Sequence, residues 1–139
     1  MDSWLVKYVD VLENLNADNL DSLRHVTADS IHFKDPFNDR QTQEGFMLIM
    51  EDMFKQLPYV RFKVHRSVQM DQEAFIHWNF EGNSRLTGEF NFDGISLLKV
   101  DDAGKIILHH DIWDGSALME RIPFVRGIIR TLRKKLSHQ

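Results

Sequence analysis

Asp35 is the first residue in the sequence whose type and setting suggest chemistry. It lies in the segment FKDPFND, between Phe33 and Phe37 and directly before Pro36. Because proline disfavours helical backbone in the residue before it, Asp35 is expected at the end of a short strand. A carboxylate held between two aromatic rings could act as a general base. The alternative is a turn aspartate that hydrogen-bonds its own backbone, which is common before proline.

A second candidate is the stretch HHDIWD, residues 109–114. Side chains alternate in a strand, so His109 and Asp111 share one face with Trp113. Beneath covering helices, a His and an Asp two residues apart could form a hydrogen-bonded acid–base pair. The alternative is a core histidine with satisfied hydrogen bonds and an aspartate that caps neighbouring backbone. Two ligands without an HxH or HExxH pattern are a weak metal signal, so neither a metal nor a cofactor is predicted.

Several classes of site have no support in the sequence. The chain has no cysteine, which excludes disulfides, thiolate zinc sites and cysteine nucleophiles. It has no glycine-rich phosphate loop and no GxSxG motif, so nucleotide-binding, kinase and serine hydrolase functions are not predicted. One set of aromatic side chains is either a plain core or a pocket wall: Trp78, Phe90, Phe92 and Trp113.

The elements that must position these residues follow from hydrophobic spacing. Apolar residues at helical spacing predict helices over 4–16, about 20–26, and from an N-cap at Thr42 to Pro58. Segment 37–42 is expected to be a polar loop. Alternation predicts a short strand at 31–34 and a meander of four strands at about 60–70, 74–81, 88–100 and 105–113. Long antiparallel strands coil, so one face of this sheet becomes concave and helices must cover it.

The strand patterns also predict which side chains share a face. In the first long strand, one face is expected to hold Val60, Phe62, Val64, Val68 and Met70. In the last strand, Ile107 is expected beside His109 on the concave face. The fold class is therefore α+β, with residues 1–139 as one domain, a core of about 3–115 and a C-terminal helix of about 116–136 that Pro123 interrupts and restarts.

Charge is unevenly distributed along the chain. The formal net charge is −4, yet residues 121–139 hold six basic and no acidic residues, which leaves the first 120 at −10. The body should repel nucleic acid, so no nucleic-acid partner is expected. The basic C-terminal helix has three interpretations: a packing helix with a solvated face, a helix on an anionic membrane surface, or a contact with a partner or second copy.

The order of elements and three stretches resemble the nuclear transport factor 2-like superfamily, in its SnoaL-like and ketosteroid isomerase-like branch. The stretches are ADSIHFKDPFND (28–39), the helix ending in Met53 and Phe54, and VDDAGKIILHHDIWD (100–114). The resemblance implies a cone-shaped half-barrel, in which N-terminal helices cover the concave face of a curved, mainly antiparallel sheet. It also implies a deep apolar pocket and a homodimer packed through the sheet.

The resemblance assigns roles residue by residue. Asp35 matches the general base of ketosteroid isomerase, a worked example of an aspartate base with an oxyanion hole. Val11 and Ser96 stand where the two oxyanion donors should be, so steroid isomerisation is not expected, although Tyr8 is an alternative donor one turn before Val11. Epoxide hydrolases of this fold use an Asp–Arg–Asp arrangement, and no arginine is clearly placed between two aspartates here. The expected pocket residues are Tyr8, Phe54, Trp78, Phe90, Phe92, Ser96 and Trp113.

The functional hypothesis is a protein that binds a small, mostly apolar molecule. It could be an isomerase, cyclase or lyase, with Asp35 as base and with His109 and Asp111 orienting substrate or carrying the proton. The alternative is a non-catalytic ligand-binding or protein-interaction module of the same fold. The lack of cysteine, of a signal peptide and of a long apolar run makes a cytoplasmic location the expectation.

Overall fold

The computed structural model describes residues 3–137, and at residues 123–124 it describes the backbone alone. The helices are α1 (Trp4–Glu13), α2 (Ser22–Val26), α3 (Gln43–Gln56), α4 (Gly115–Met119) and α5 (Pro123–Leu136). The strands are β1 (Thr27–Lys34), β2 (Asp39–Arg40), β3 (Tyr59–Met70), β4 (Glu73–Ser84), β5 (Gly88–Val100) and β6 (Ile106–Ile112). The assignment of residues 1–139 to one domain stays a prediction, and residues 1–2 and 138–139 lie outside the described residues.

Two hydroxyl caps fix where the long N-terminal helices begin. Ser3 Oγ accepts a hydrogen bond from the Val6 amide at 3.1 Å, and Thr42 Oγ1 accepts one from the Gly45 amide at 3.0 Å. Each bond satisfies an amide that has no partner within the helix. The predicted N-cap at Thr42 is confirmed. Helix α3 ends at Gln56, where the chain becomes extended before Pro58.

The six strands form one curved, mixed sheet in the order β2-β1-β6-β5-β4-β3. Strands β3 to β6 form the predicted antiparallel meander, and β1 runs parallel to β6. The sheet is not closed into a barrel, and helices lie against its concave face, so the predicted α+β half-barrel is confirmed. The short strand β2 was not predicted: residues 39–40 return along Phe33 and Lys34, within the segment expected to be a loop.

Two bulges change which side chains face the core. In β3, Val64 pairs with Trp78 but Arg66 pairs with His77, so His65 is an extra residue and the alternation inverts beyond it. The expectation that Val68 and Met70 share the face of Val64 is therefore wrong. The two side chains are 66% and 72% exposed on the convex face.

The second bulge lies in β6. Val100 pairs with Ile106 and Lys99 with Leu108, so Ile107 is the extra residue. Ile106, and not Ile107 as predicted, is the residue buried on the face of His109. Beyond the bulge the predicted alternation holds for His109 and Asp111.

The concave side of the sheet is packed at one end and open at the other. At the packed end, α1, α2 and the first half of α3 cover a core of fully buried side chains that includes Tyr8, Leu23, Ile31, Phe46, Ile76 and Leu98. At the open end, the second half of α3 stands off the sheet with half-buried Ile49, Met50, Met53 and Phe54. Within the described residues, no helix combines the length and apolar character needed to cross a bilayer.

Candidate functional site

A cavity of about 950 Å³ occupies the open end of the concave face. Its walls are the second half of α3, the concave faces of β3 to β6, the turn between β4 and β5, and the segment from α4 to Ile122. The wall is mostly apolar, and nine of its side chains are aromatic: Phe33, Phe37, Phe54, Phe62, Trp78, Phe80, Phe90, Phe92 and Trp113. This volume falls in the range of small-molecule sites, which are concave and mostly apolar with a few polar groups.

Glycines opposite aromatic residues shape the floor of the cavity. Trp78 on β4 pairs with Gly94 on β5, and a Cβ at Gly94 would lie 2.3 Å from Cη2 of the indole. Phe90 likewise lies over Gly82, where a Cβ would be 2.4 Å from the ring. The rings can lie flat across the neighbouring strand because these two positions have no side chain.

Aromatic contacts continue from this floor to the far wall. Phe92 stacks on Trp113 with ring centroids 4.6 Å apart, and Phe37 meets Trp113 edge-on at 5.6 Å. Trp113 lies one residue beyond β6 and still points to the cavity, as the predicted alternation requires.

His109 is held from both sides of its ring. Its Nδ1 lies 2.6 Å from the Tyr8 hydroxyl, and its Nε2 lies 2.6 Å from Asp111 Oδ1. Only 4% of the residue is exposed, and the Tyr8 side chain is fully buried. Burial, and then the negative charge of Asp111, raise the pKa of the Tyr8 phenol well above its ordinary value. Tyr8 therefore keeps its proton.

Asp111 receives a second hydrogen bond from the opposite direction. The Ser96 hydroxyl bonds Asp111 Oδ1, and the Trp78 indole N–H donates to Ser96 Oγ at 2.8 Å. The five side chains form one buried line across the sheet: Tyr8, His109, Asp111, Ser96 and Trp78. Each pair joins residues whose positions are set by strand pairing or by the packing of α1, so the line is part of the fold.

The direction of every hydrogen bond in the line follows from the donors available. The indole can only donate, so Ser96 accepts from it and donates its own proton to Asp111. The Asp111 carboxylate can only accept, so the Nε2–H of His109 donates to it, and in that tautomer Nδ1 accepts from the Tyr8 hydroxyl. The bond from His109 and the bond from Ser96 thus both end on Asp111 Oδ1. Asp111 lines the cavity, and its Oδ2 has no hydrogen-bond partner among the described residues.

Asp35 also lines the cavity, but its oxygens serve the adjacent turn. Its Oδ1 accepts from the amides of Phe37 at 2.8 Å and Asn38 at 2.7 Å, and the Asn38 side-chain amide lies 3.1 and 3.2 Å from its two oxygens. This is the self-bonded turn that the sequence offers as the alternative. The register that pairs Phe33 with His109 and Lys34 with His110 brings Asp35 alongside Asp111 one residue later.

The predicted pocket residues separate into two layers. Phe54, Trp78, Phe90, Phe92 and Trp113 line the cavity. Tyr8 and Ser96 do not; they lie behind its wall, because their polar atoms bond His109, Asp111 and Trp78. The expected alternative role of Tyr8 as an oxyanion donor has no geometric basis, since its hydroxyl is directed at His109.

Sequence reasoning overlooked several residues of the site. Asn38 braces Asp35, Gly94 admits the Trp78 ring, and exposed Lys55 and Arg85 lie where the cavity meets solvent. A glycine inside a strand pattern, such as Gly94, is itself a signal of close approach by another group. Among residues 3–137 no cluster of three metal-ligating side chains is present.

Comparison with known proteins places this arrangement in a family. The model of the SnoaL-like domain matches residues 7–109, most of the chain. The chain belongs to the SnoaL-like domain family. The resemblance to the nuclear transport factor 2-like superfamily, in its SnoaL-like and ketosteroid isomerase-like branch, is thereby confirmed. No curated protein matches the sequence significantly.

Solved structures agree on the fold of this SnoaL-like domain. A proposed SnoaL-like polyketide cyclase from Jannaschia sp. CCS1 superposes with a TM-score of 0.75 at 15% identity, covering 86% of this chain and 91% of the other. An LEH-like epoxide hydrolase from M. tuberculosis superposes with a TM-score of 0.68 at 15% identity, covering 98% of this chain and 92% of the other. A protein of ketosteroid isomerase-like fold from Catenulispora acidiphila, in complex with trimethylamine, superposes with a TM-score of 0.72 at 11% identity. The match covers 86% of this chain and 92% of the other. At these identities the likeness establishes the fold alone.

Proposed function

We propose that this SnoaL-like domain binds a small, mostly apolar molecule in the cavity and moves a proton on it, as an isomerase, cyclase or lyase does. The observation that carries the proposal is the unpartnered Oδ2 of Asp111, a carboxylate that a histidine and a serine hold at the wall of an apolar cavity. A carboxylate positioned in this way, with its other oxygen fixed by donors, fits the role of a general base.

Asp111 is the stronger candidate for the base, and Asp35 the weaker. Both oxygens of Asp35 are used in its own turn, Oδ1 by the amides of Phe37 and Asn38 and Oδ2 by the Asn38 side chain, so a proton taken from a substrate would displace one of these bonds. Asp111 would take a proton at Oδ2 without breaking either bond at Oδ1. His109 acts here as a positioning residue, because Tyr8 and the Asp111 carboxylate fix its ring.

The same geometry argues against reactions that need a strong oxyanion hole. Tyr8, Ser96, Trp78 and the Nε2–H of His109 all donate within the buried line, so none is free to stabilise a developing enolate. This supports the expectation that the steroid isomerase reaction is not performed. It favours substrates whose carbon acid is already activated, so that a single base suffices.

Solvent deuterium exchange tests the proposal without a known product. A panel of apolar ketones and diketones is incubated with the protein in D₂O, and deuterium incorporation beside the carbonyl is followed by mass spectrometry. Asp111→Asn should reduce exchange by about 100-fold or more, the usual contribution of a general base. Asp35→Asn should retain most of the exchange.

Three other results would change the proposal. Binding of a panel member, seen by ligand-observed NMR, without exchange above background would favour the alternative function, a non-catalytic ligand-binding module. Equal exchange in wild type and Asp111→Asn would remove Asp111 as the base. Loss of exchange in Asp35→Asn alone would restore the role that the sequence suggests for Asp35.

We also propose that two copies pair through the convex face of the sheet. The bulge at His65 adds Val68 and Met70 to the exposed apolar side chains of that face, among them Phe75, Ile95 and Ile112. Exposed apolar patches of this kind mark interaction sites. Light scattering should give twice the monomer mass for wild type. The Phe75→Arg variant should have the monomer mass. A monomer mass for wild type would exclude the pairing.

A further inference from the structure

Helix α5 carries an apolar stripe that nothing in residues 3–137 covers. Ile128, Leu132 and Leu136 recur every four residues and are 62%, 50% and 84% exposed. Residues at this spacing share one helix face. Val125, which shares this face in the first turn, and Ile129 at its edge are half-buried. Helix α5 is thus amphipathic, and its most apolar positions point away from the protein.

The charge of α5 differs in sign from that of the body. Residues 121–137 contain six basic and no acidic side chains, in a chain whose net charge is −4. Two arginines attach the helix to α4 and the residues beside it: Arg133 lies 2.6 Å from Glu120 and 3.1 Å from Asp114, and Arg130 lies 3.7 Å from Glu120. Lys135, which lies beside the apolar stripe, and Lys134 form no ion pair with a described residue. This surface therefore attracts anions beside an apolar strip.

Helix α5 begins at the edge of the cavity. Leu118, Met119 and Ile122, which precede it, line the cavity wall. The Arg121 guanidinium donates to the Glu89 carbonyl, which ties this segment to the start of β5, directly after the turn from β4. That turn places Arg85 and the exposed Leu86 on the cavity rim. Apolar and basic groups thus occur together on the rim and on the helix that continues from it.

We propose that α5 docks on an anionic membrane surface and brings the cavity mouth to the bilayer. A helix of 14 residues is about 21 Å long, enough to lie in the interface and too short to cross it. An apolar stripe together with a basic flank supplies the two contributions that interfacial binding requires. Uptake of an apolar molecule directly from the bilayer follows, and that step rests on the proposed function of the cavity.

Vesicle sedimentation with the full chain tests the docking step. Vesicles of phosphatidylcholine with 30 mol% phosphatidylglycerol are compared with vesicles of phosphatidylcholine alone. Wild type should bind the anionic vesicles and release them at high salt. Leu132→Ser should weaken binding by about tenfold, the equivalent of one buried leucine. The pair Lys134→Gln and Lys135→Gln should weaken it by about 30-fold.

Leu48→Ser is the matched control. Leu48 is 49% exposed on α3, so the same substitution removes a leucine of equal exposure from a helix far from α5 in sequence. This variant should bind the vesicles like wild type. Equal losses in Leu48→Ser and Leu132→Ser, or no anionic preference in wild type, would overturn the proposal.

A site-specific label locates the contact. The chain has no cysteine, so Leu132→Cys and Leu48→Cys each provide a single attachment point for an environment-sensitive fluorophore. The label at position 132 should shift to shorter wavelength with anionic vesicles, and the label at 48 should not. A vesicle-independent shift at 132, together with a mass that falls in Leu132→Ser, would show that a second copy covers the stripe instead.

The outcomes separate docking from catalysis. Asp111→Asn should bind vesicles like wild type, because Asp111 lies inside the cavity. Failure of vesicle binding would leave the deuterium-exchange result untouched. Failure of exchange would leave α5 as a membrane-docking helix on a protein whose cavity performs no proton transfer.

Discussion

Asp35 and Asp111 line the same cavity, but the residues that hydrogen-bond them differ in how far away they lie along the sequence. The donors to Asp35 are two and three residues away in the sequence. The line that ends on Asp111 joins Tyr8 to His109 across 101 residues, and Trp78 to Ser96 to Asp111 across 18 and 15. Asp35 belongs to a local turn at the cavity wall. The hydrogen bonds that end on Asp111 can form only when the sheet and α1 are assembled.

This difference decides which carboxylate is available for chemistry. A local turn uses the carboxylate as its closing element, so all of the donors that stabilise the turn compete with a substrate. A long-range line can end on one oxygen and leave the other free, as it does at Asp111. Changes far from Asp111 should therefore disturb it, while Asp35 should respond mainly to changes in its own turn.

Gly94→Ala should have the largest effect on stability. The new Cβ would lie 2.3 Å from the Trp78 ring, so the indole must leave the strand and lose its bond to Ser96. Overpacking of this kind costs about 3 kcal/mol, measured as the free energy of unfolding in urea. Gly127→Ala is the control, since nothing lies within 4 Å of its Cβ and a helical alanine should stabilise by about 0.5 kcal/mol. Equal, small changes in both would mean that Trp78 is not confined by β5.

Tyr8→Phe should have the next largest effect. It leaves His109 Nδ1 buried without a partner, which costs about 2 kcal/mol in the free energy of unfolding. The chain has one other tyrosine, Tyr59, which is 53% exposed and forms no side-chain hydrogen bond with a described residue. Tyr59→Phe should therefore be neutral. A neutral Tyr8→Phe would show that the Tyr8–His109 bond does not anchor the line.

The sequence predicted the elements, the curved sheet and the local hydrogen bonds, and it missed the side-chain contacts between residues far apart in the chain. Thr42 and Pro58 delimit α3 correctly because capping and proline effects act within a few residues. The bonds of Asp35 to its own turn were an explicit alternative for the same reason. The partnership of Tyr8 with His109 could not be predicted, because no local pattern relates two residues so far apart.

The bulges at His65 and Ile107 show a second limit. A period of two in apolar residues predicts faces only while the ladder is regular, and one extra residue inverts the rest of the strand. His109 and Asp111 share a face, as predicted, because both lie on the same side of the bulge in β6. Val68 and Met70 were misplaced because the bulge in β3 comes before them.

The pH dependence of the free energy of unfolding should distinguish the region of Tyr8 and Asp111 from the turn of Asp35. Burial raises the pKa of Tyr8 above its ordinary value of 10.0, so at higher pH the unfolded chain loses this proton first. Wild type should therefore lose stability above pH 10 relative to Tyr8→Phe, by up to about 1.4 kcal/mol per pH unit. Below pH 10 the difference between the two proteins should be constant. A constant difference up to pH 11.5 in urea titrations would contradict the burial of this phenol.

Asp35→Ala should have the smallest effect, about 1 kcal/mol in the free energy of unfolding. It removes hydrogen bonds to the amides of Phe37 and Asn38, but these groups lie near the surface and water can replace the carboxylate. The tyrosine pH dependence should be the same in this variant as in wild type, because Asp35 has no bond to the Tyr8–His109 line. Asn38→Ala, which removes only the side-chain donor, should cost less than Asp35→Ala. If instead Asp35→Ala altered the alkaline transition of Tyr8, the two carboxylates would belong to one coupled site, and the distinction between a local turn and a long-range line would fail.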